Sequence, residues 1–94
     1  MNVRWTKRAS KNLGSAIAYI EQNSPMAAKK FRKEMLDKVE ILEAHPNIGR
    51  TMPDSPGIRK LLVHENYHVS YRVRKNEIHI VTFRHARRKP LTRI

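Results

Sequence analysis

Apolar side chains in the first half of the chain recur at steps of three and four residues, which is the period of an α-helix. One such series predicts an amphipathic helix over residues 7–22, with Thr6 placed as its N-cap. A second series predicts another helix of about five turns. The apolar positions of the two series are Ala9, Leu13, Ala16, Ile17 and Ile20, then Ala28, Phe31, Met35, Val39 and Leu42.

The joint between the two helices is the tripeptide Asn23-Ser24-Pro25. Asn ends the first helix, Ser caps the second, and Pro takes the first helical position, where its missing N–H costs nothing. His45-Pro46 ends the second helix, because the residue before a proline is disfavoured in helical geometry. So short a link predicts a helical hairpin.

Beyond residue 57 the apolar period changes from helical to two, which is typical of strands. Residues 58–64 are predicted as a strand, Glu65-Asn66 as a turn, and residues 67–74 as a half-buried strand with one polar face. Lys75-Asn76 is the next turn, and residues 77–83 form a last strand, which is apolar on both faces at Val81 and Phe83 and therefore internal. Residues 3–5 read as a short first strand and residues 46–57, with three Pro and two Gly, as a loop.

These elements predict one α+β domain over residues 1–94 with the order β-α-α-β-β-β. The helical hairpin is expected to pack on one face of an antiparallel sheet that ends in a three-strand meander. The other face of the sheet is expected to be open.

Charge is unevenly distributed along this basic chain, whose net charge is +12. Residues 1–57 hold ten Lys and Arg against six acids, a net of +4, whereas residues 58–94 hold ten against two, a net of +8. The C-terminal part also carries four of the five His residues. A chain this basic predicts a nucleic acid, an anionic membrane or an acidic protein as its partner, and the C-terminal part as the region that binds it.

Several classes of function are disfavoured by the sequence. Without Cys the chain has no disulfide framework and no thiolate chemistry, and without a long apolar run it has no membrane span. Scattered His residues among many Arg predict no metal site, and three isolated Gly predict no nucleotide cofactor. The N-terminus lacks the apolar core of a signal peptide, so a cytoplasmic location is expected.

The segment VTFRHARRKP holds the candidate chemistry, because Arg84, His85, Arg87, Arg88 and Lys89 crowd together after an apolar run. Like charges repel, so this cluster predicts contact with an anion, although charge runs also occur as solvated tails. Metal-free RNA cleavage needs an acid, a base and cations for the phosphate. His85 and His68 could transfer protons. Arg59, Arg72, Arg84, Arg87 or Arg88 could bind phosphate.

The arrangement of the predicted strands could bring these residues together. His68, Ser70 and Arg72 share one face of a predicted strand, and Arg84 and His85 follow the neighbouring one. The meander could gather them on the open face, joined by Arg59 if its side chain points the same way. Purely structural roles are the alternatives to these functional ones. Arg59 could simply bond the loop, and His68 could be an ordinary surface residue. Tyr67 and Tyr71 are expected in the core.

Taken in order, NSPxxA, HPxxGR, GIRKLLV, NYHVSYRV and HARRKP resemble the RelE/ParE superfamily from Trp5 to Pro90. These are toxins of type II toxin–antitoxin modules. The resemblance implies a compact α+β toxin neutralised by a cognate antitoxin, and an activity that arrests growth. RelE-like members cut mRNA on the ribosome, whereas ParE-like members act on DNA gyrase.

The resemblance favours the ParE-like branch. RelE-like toxins carry an Arg after the Tyr of the middle meander strand, where this chain has His68, and a catalytic Tyr or His near the C-terminus, for which His85 could substitute. The ending HARRKP, the GR after the second helix and the GIRxL that opens the meander resemble ParE-like members. A ribosome-dependent mRNA endonuclease and a non-toxic basic binding module remain the alternatives.

Overall fold

A computed structural model describes residues 2–64 and 66–85, which form two helices and five strands. In chain order these are β1 (Asn2–Trp5), α1 (Lys7–Asn23), α2 (Pro25–Ala44), β2 (Arg50–Thr51), β3 (Arg59–His64), β4 (Tyr67–Arg74) and β5 (Glu77–His85). The α+β class and the predicted order of elements are confirmed. Within the described ranges, neither helix is both long and apolar enough to cross a bilayer.

The helix boundaries follow from local chemistry as predicted. The Thr6 side chain accepts a hydrogen bond from the Ala9 amide at 3.1 Å, and the Ser24 side chain accepts one from the Ala27 amide at 3.1 Å. Each cap satisfies an amide that the first turn leaves without a helical partner. Pro25 begins α2 directly after its cap, and α2 ends at Ala44 with His45 as the C-cap.

The sheet has the strand order β1-β5-β4-β3-β2 and is mixed, which corrects the prediction of an antiparallel sheet. β3, β4 and β5 form the expected antiparallel meander, but β1 pairs in parallel with β5, Trp5 lying opposite Ile80. Alternation in a sequence reports which face a side chain occupies and carries no information about strand direction. Here β1 must lead directly into α1, whose start is bonded to β5.

Two boundaries differ from the sequence prediction. The predicted loop over residues 46–57 contains β2, whose two residues pair antiparallel with β3 and are too few to give a periodic signal. β5 continues past Phe83, so Arg84 and His85 are strand residues paired with His68 and Tyr67 and do not follow the strand. The predicted turn at Glu65-Asn66 falls partly on Glu65, which lies outside the described residues.

The core forms between the helical hairpin and one face of the sheet, which we call the helical face. Phe31 and Met35 of α2 pack there with Tyr67, Val69 and Tyr71 of β4, as the alternation predicted. The rest of the buried cluster consists of Ala9, Leu42, Val63, Ile78, Ile80 and Phe83. Burial of this apolar area against water is the main force that fixes which face of each strand meets the helices.

α1 takes over the bonding of β5 where β1 ends. β1 pairs with β5 as far as Ile80, and just beyond this point the register between β4 and β5 shifts by one residue, between Ser70 and Tyr71. Beyond Ile80 no strand lies beside β5 on the β1 side within the described residues. There the Thr6 hydroxyl lies 2.9 Å from the Ile80 carbonyl oxygen, and the Asn12 side chain accepts a hydrogen bond from the Phe83 amide at 3.4 Å.

The loop after α2 is fastened to the core by the Tyr71 hydroxyl. This group accepts a hydrogen bond from the Gly49 amide at 2.8 Å and donates one to the Pro46 carbonyl at 2.8 Å. A Cβ atom at Gly49 would lie 2.6 Å from the Tyr71 hydroxyl oxygen, so only glycine fits against the ring. The HPxxGR motif therefore has a structural explanation, because its Pro and Gly provide the two groups that bind Tyr71.

We predict that Gly49→Ala destabilises the fold by roughly 1–3 kcal/mol, because the added methyl must displace the buried Tyr71 ring or the loop. Gly14→Ala is the matched control, because a Cβ there meets nothing within 4 Å. Gly14 lies within α1, so this substitution should stabilise the protein by about 0.5–1 kcal/mol. Urea denaturation of the three proteins measures both effects. Equal stability of the Gly49→Ala variant and the parent would contradict the packing described for the loop.

Candidate anion-binding face

The second face of the sheet, which we call the open face, carries a row of cations. Its basic side chains come from all five strands at positions that alternate with core residues and pair across the strands. They are Arg4 on β1, Arg50 on β2, Lys60 on β3, Arg72 and Arg74 on β4, and Arg84 on β5. Strand pairing thus brings together charges that are far apart in the sequence.

Among the described strands, Glu77 is the only acid on the open face, and its charge is already engaged. Its carboxylate lies 3.0 Å from Nε2 of His79, and this hydrogen bond, together with the nearby Arg4, lowers the pKa of Glu77. His79 is thereby paired with an acid along its own strand. The open face therefore presents an excess of positive charge, which suits an anionic partner.

His68 lies in the middle of the open face, where its Cα pairs with Leu62 on one side and Arg84 on the other. Its Nδ1 atom is buried from solvent and has no hydrogen-bond partner among the described residues. Burial lowers the pKa of His68, and the positive charges of Lys60 and Arg84 lower it further. The imidazole is therefore held in its neutral form, which can accept a proton or a hydrogen bond.

Ser70 and Thr82 occupy the next row of the open face and hydrogen-bond to each other through their hydroxyl groups. Lys60 pairs with Ser70 on the other side. This row of hydroxyls and one ammonium group lies beside the row of His68 and Arg84. Cations and hydroxyls that converge in this way match the oxygen atoms of a phosphate or a carboxylate.

Two of the predicted contact residues, Arg72 and Arg84, lie on the open face with exposed side chains. Sequence reasoning placed Arg74 on the polar face of β4 without naming it as a contact residue, and it missed Lys60, Arg4 and Arg50 as members of the same surface. A signal was present for Lys60, because it alternates with apolar Leu61 along β3. Arg4 and Arg50 could be assigned to this face only through strand pairing, which the sequence does not give.

His85 lies on the helical face, and this corrects the expectation that it would join His68 on the open face. Its Cα pairs with Tyr67, a core residue, and its ring meets the Tyr67 ring edge-on with centroids 4.9 Å apart. The strand is longer than predicted, so the alternation of faces continues through Arg84 and turns His85 the other way. The two candidate proton-transfer groups are separated by the sheet.

Arg59 also lies away from the open face. It pairs with Tyr71 in the sheet, and one of its terminal nitrogens donates hydrogen bonds to the carbonyls of Gly49 at 2.8 Å and Asn47 at 3.2 Å. The role of bonding the loop is therefore what the structure shows for this side chain. It reinforces the attachment that the Tyr71 hydroxyl makes to the same loop.

His64 is the last residue of β3 and contacts α2. Its Nε2 atom lies 2.8 Å from the Glu34 carboxylate, and its ring packs edge-on against Phe31 with centroids 4.9 Å apart. The predicted contact residues Arg87, Arg88 and Lys89 lie outside the described residues. Within the described ranges, no group of three or more His, Asp or Glu side chains could hold a metal ion.

The fold and this face define a small basic α+β protein with a helical hairpin on one side of its sheet and a cationic surface on the other. A family model described as "ParE toxin of type II toxin-antitoxin system, parDE" matches residues 3–90. The chain belongs to this family and is the toxin component of a type II toxin–antitoxin system. The resemblance noted in the sequence is thereby confirmed.

Individual relatives agree with this assignment. The chain is 35% identical over 86 residues to "Toxin RelE2" of Caulobacter vibrioides, a match that covers 92% of this chain and 96% of that protein. It is 26% identical to a chain of the solved structure "Chromosomal ParDE TA system from P. aeruginosa", with a TM-score of 0.75 and coverage of 90% and 95%. The Staphylococcus aureus YoeB dimer shares the fold, at 18% identity, a TM-score of 0.59 and coverage of 87% and 92%.

We predict that Arg84→Gln raises the pKa of His68, because it removes one of the positive charges that disfavour the imidazolium. NMR titration of the His68 ring protons measures the change. Arg74→Gln is the matched control, since it removes an equal charge that does not contribute to lowering the pKa of His68. An equal rise in both variants would mean that net charge alone controls the titration.

The lowered pKa of His68 also predicts how the stability of the fold depends on pH. The unfolded chain has a His68 pKa near 6.5 and binds a proton more readily than the folded protein does. Stability contributed by neutral His68 should therefore be lost as the pH falls from about 6.5 towards the folded-state pKa. His68→Gln should lose less stability than the parent between pH 7.5 and pH 5. Parallel curves for the two proteins in urea denaturation would contradict this expectation.

Proposed function

We propose that this toxin arrests growth as a DNA gyrase poison that binds its target and breaks no bond of its own. The observation that carries the proposal is the separation of His68 and His85 on opposite faces of the sheet. Cleavage of a phosphodiester by proton transfer requires an acid and a base that reach the same phosphate group. Among the described residues of the cationic face, His68 lies beside Arg84, whereas His79 lies further along the sheet, opposite Arg72, and is bonded to Glu77.

The charge distribution supports an anionic binding partner. Arg72 and Arg84 point from the open face, and the sequence adds Arg87, Arg88 and Lys89 directly after β5. A complex of gyrase with DNA offers phosphates and acidic side chains to such a surface, and phosphate contacts would make binding steeply dependent on salt. The same cations would bind acidic residues of the cognate antitoxin that a type II system provides, and the two partners would compete in the cytosol.

A ribosome-dependent mRNA endonuclease is the second candidate function, and one observation favours it. His68 has a lowered pKa and lies between Lys60 and Arg84, so a neutral general base is present beside two phosphate-binding cations. In this mechanism His68 would take the proton of a ribose 2′-hydroxyl, and the two cations would stabilise the charge on the phosphate. The leaving oxygen would then need its proton from water or from the ribosome.

We predict that replacing Arg84, or Arg87 and Arg88 together, with Ala lowers toxicity at least tenfold, because the contact to an anion is lost while the core is intact. His68→Gln should leave toxicity unchanged, since glutamine keeps a neutral polar group but cannot transfer a proton. Induced cells should become filamentous while protein synthesis continues. Purified toxin should inhibit supercoiling of relaxed plasmid by gyrase, increasingly so at lower salt.

Lys29→Ala is the control variant, because Lys29 is an exposed cation on α2, away from the open face. It should keep full toxicity, and urea denaturation should show that every variant is folded. Rapid loss of translation with cleaved mRNA, abolished by His68→Gln, would overturn the gyrase proposal in favour of the endonuclease. Loss of stability equal to the loss of toxicity in the Arg variants would assign those residues a structural role. No effect of the parent on growth would favour the non-toxic binding module.

A further inference from the structure

A recess of about 490 Å³ lies between α2 and β3, at the edge of the sheet where Leu62 borders the cationic open face. Ile41 and Leu62 line it with exposed apolar surface, at 41% and 54% exposure. The other lining residues are Glu34, Asp37, Lys38, Val63 and His64. A recess that combines apolar walls with a few polar groups is the usual form of a binding site.

The strand beside this recess has an open edge. β2 pairs only with Arg59 and Lys60 of β3, so within the described residues no strand lies next to Leu61–His64 on that side. Unpaired backbone groups at a strand edge readily bind another length of chain. The recess therefore offers a segment of chain both apolar contacts and backbone hydrogen bonds.

The lining of the recess carries two carboxylates, Glu34 and Asp37, and one cation, Lys38, in a protein that is otherwise strongly basic. Glu34 and Asp37 follow one another at a spacing of three residues along α2, with side chains 42% and 59% exposed. Among the described residues, Glu34 is bonded to His64 at 2.8 Å, and Asp37 is paired with Lys33 at 3.5 Å, at an exposed position where such a pair contributes little. Both carboxylates can thus accept further hydrogen bonds, and the occupant of the recess should be cationic as well as apolar.

Residues 86–94, which lie outside the described part of the chain, have this composition. They include the cations Arg87, Arg88, Lys89 and Arg93, the apolar residues Leu91 and Ile94, and no acid. They follow His85, which pairs with Tyr67, and Tyr67 pairs with His64 at the rim of the recess. Two strand spacings, about 10 Å, separate His85 from His64, whereas nine residues can span up to roughly 30 Å.

We propose that residues 86–94 bind in the recess between α2 and β3 of the same molecule, with Leu91 or Ile94 against Ile41 and Leu62 and an arginine on Asp37. The modest size of the recess favours an occupant in the same chain, because stable complexes between proteins bury about 1,200–2,000 Å². A segment joined to its site by a short link has an effective concentration near the millimolar range, so a weak interaction is sufficient.

Binding of this kind would compete with the anionic partners of the toxin for Arg87 and Arg88. Cations held by Glu34 and Asp37 are unavailable to a target or to acidic residues of an antitoxin until they are released. The recess would then lower the affinity of the toxin for either partner by the fraction of molecules in the bound state. The interaction itself does not depend on which molecule the toxin attacks.

A disulfide trap tests the proposal directly, because the chain has no cysteine of its own. Lys38→Cys in the recess is combined with Thr92→Cys, which leaves the proposed anionic and apolar contacts intact. Lys11→Cys with Thr92→Cys is the control, since Lys11 is an exposed residue next to Asn12, which bonds β5 near its end. We expect disulfide formation at least tenfold faster for the first pair in dilute full-length protein.

Adding Asp37→Lys to the first pair should reduce its rate to that of the control, whereas Glu40→Lys, an equal charge change at an exposed position of α2 outside the recess, should not. Half-molar salt should slow the first pair, because charge attraction is screened. Equal rates for the two cysteine pairs would overturn the proposal. So would disulfides formed mainly between molecules, at a rate that rises with protein concentration, since these would identify a second copy as the occupant. All these measurements are independent of toxicity and therefore of the proposed target.

Discussion

The Tyr71 hydroxyl is the contact on which the arrangement of the sheet depends most. It lies in the core, binds the amide of Gly49 and the carbonyl of Pro46, and so ties the loop after α2 to the central strand. Burial raises the pKa of this phenol, which keeps it protonated and able to donate. Arg59 binds the same loop from the neighbouring strand. Without this attachment the short strand β2 would depend on the pairing of its own two residues with β3.

The two faces of β4 carry separate tasks because the strand alternates strictly. Tyr67, Val69 and Tyr71 lie in the core. The residues that alternate with them on the other face are His68, Ser70 and the two surface arginines. Like charges on one face repel, and the energy that overcomes this repulsion comes from the apolar burial on the other face. The apolar core and the positive charge of the surface are therefore supplied by different side chains of the same strands, which allows one to change without the other.

Sequence reasoning was accurate wherever a local signal exists. Caps at Thr6 and Ser24, the Pro25 start and the alternation along β4 each act within a few residues, and each was confirmed. It was incomplete where the outcome depends on pairing between distant segments. The parallel edge formed by β1, the strand position of His85 and the gathering of Lys60, Arg72 and Arg84 on one surface all follow from register, which a single sequence does not report. Arg72 and Arg84 were accordingly predicted as contact residues, whereas Lys60, Arg4 and Arg50 were not.

The pairing of β1 with β5 determines when the sheet can be completed during synthesis. β1 emerges from the ribosome first, yet its neighbour β5 begins at Glu77, and Thr6 also bonds to the carbonyl of Ile80. β1 therefore has no place in the sheet until β5 has been synthesised. Contacts between residues so far apart in sequence also slow folding. A cell that produces this toxin thus has an interval, from the first residues of the chain to the last strand, in which no finished toxin exists.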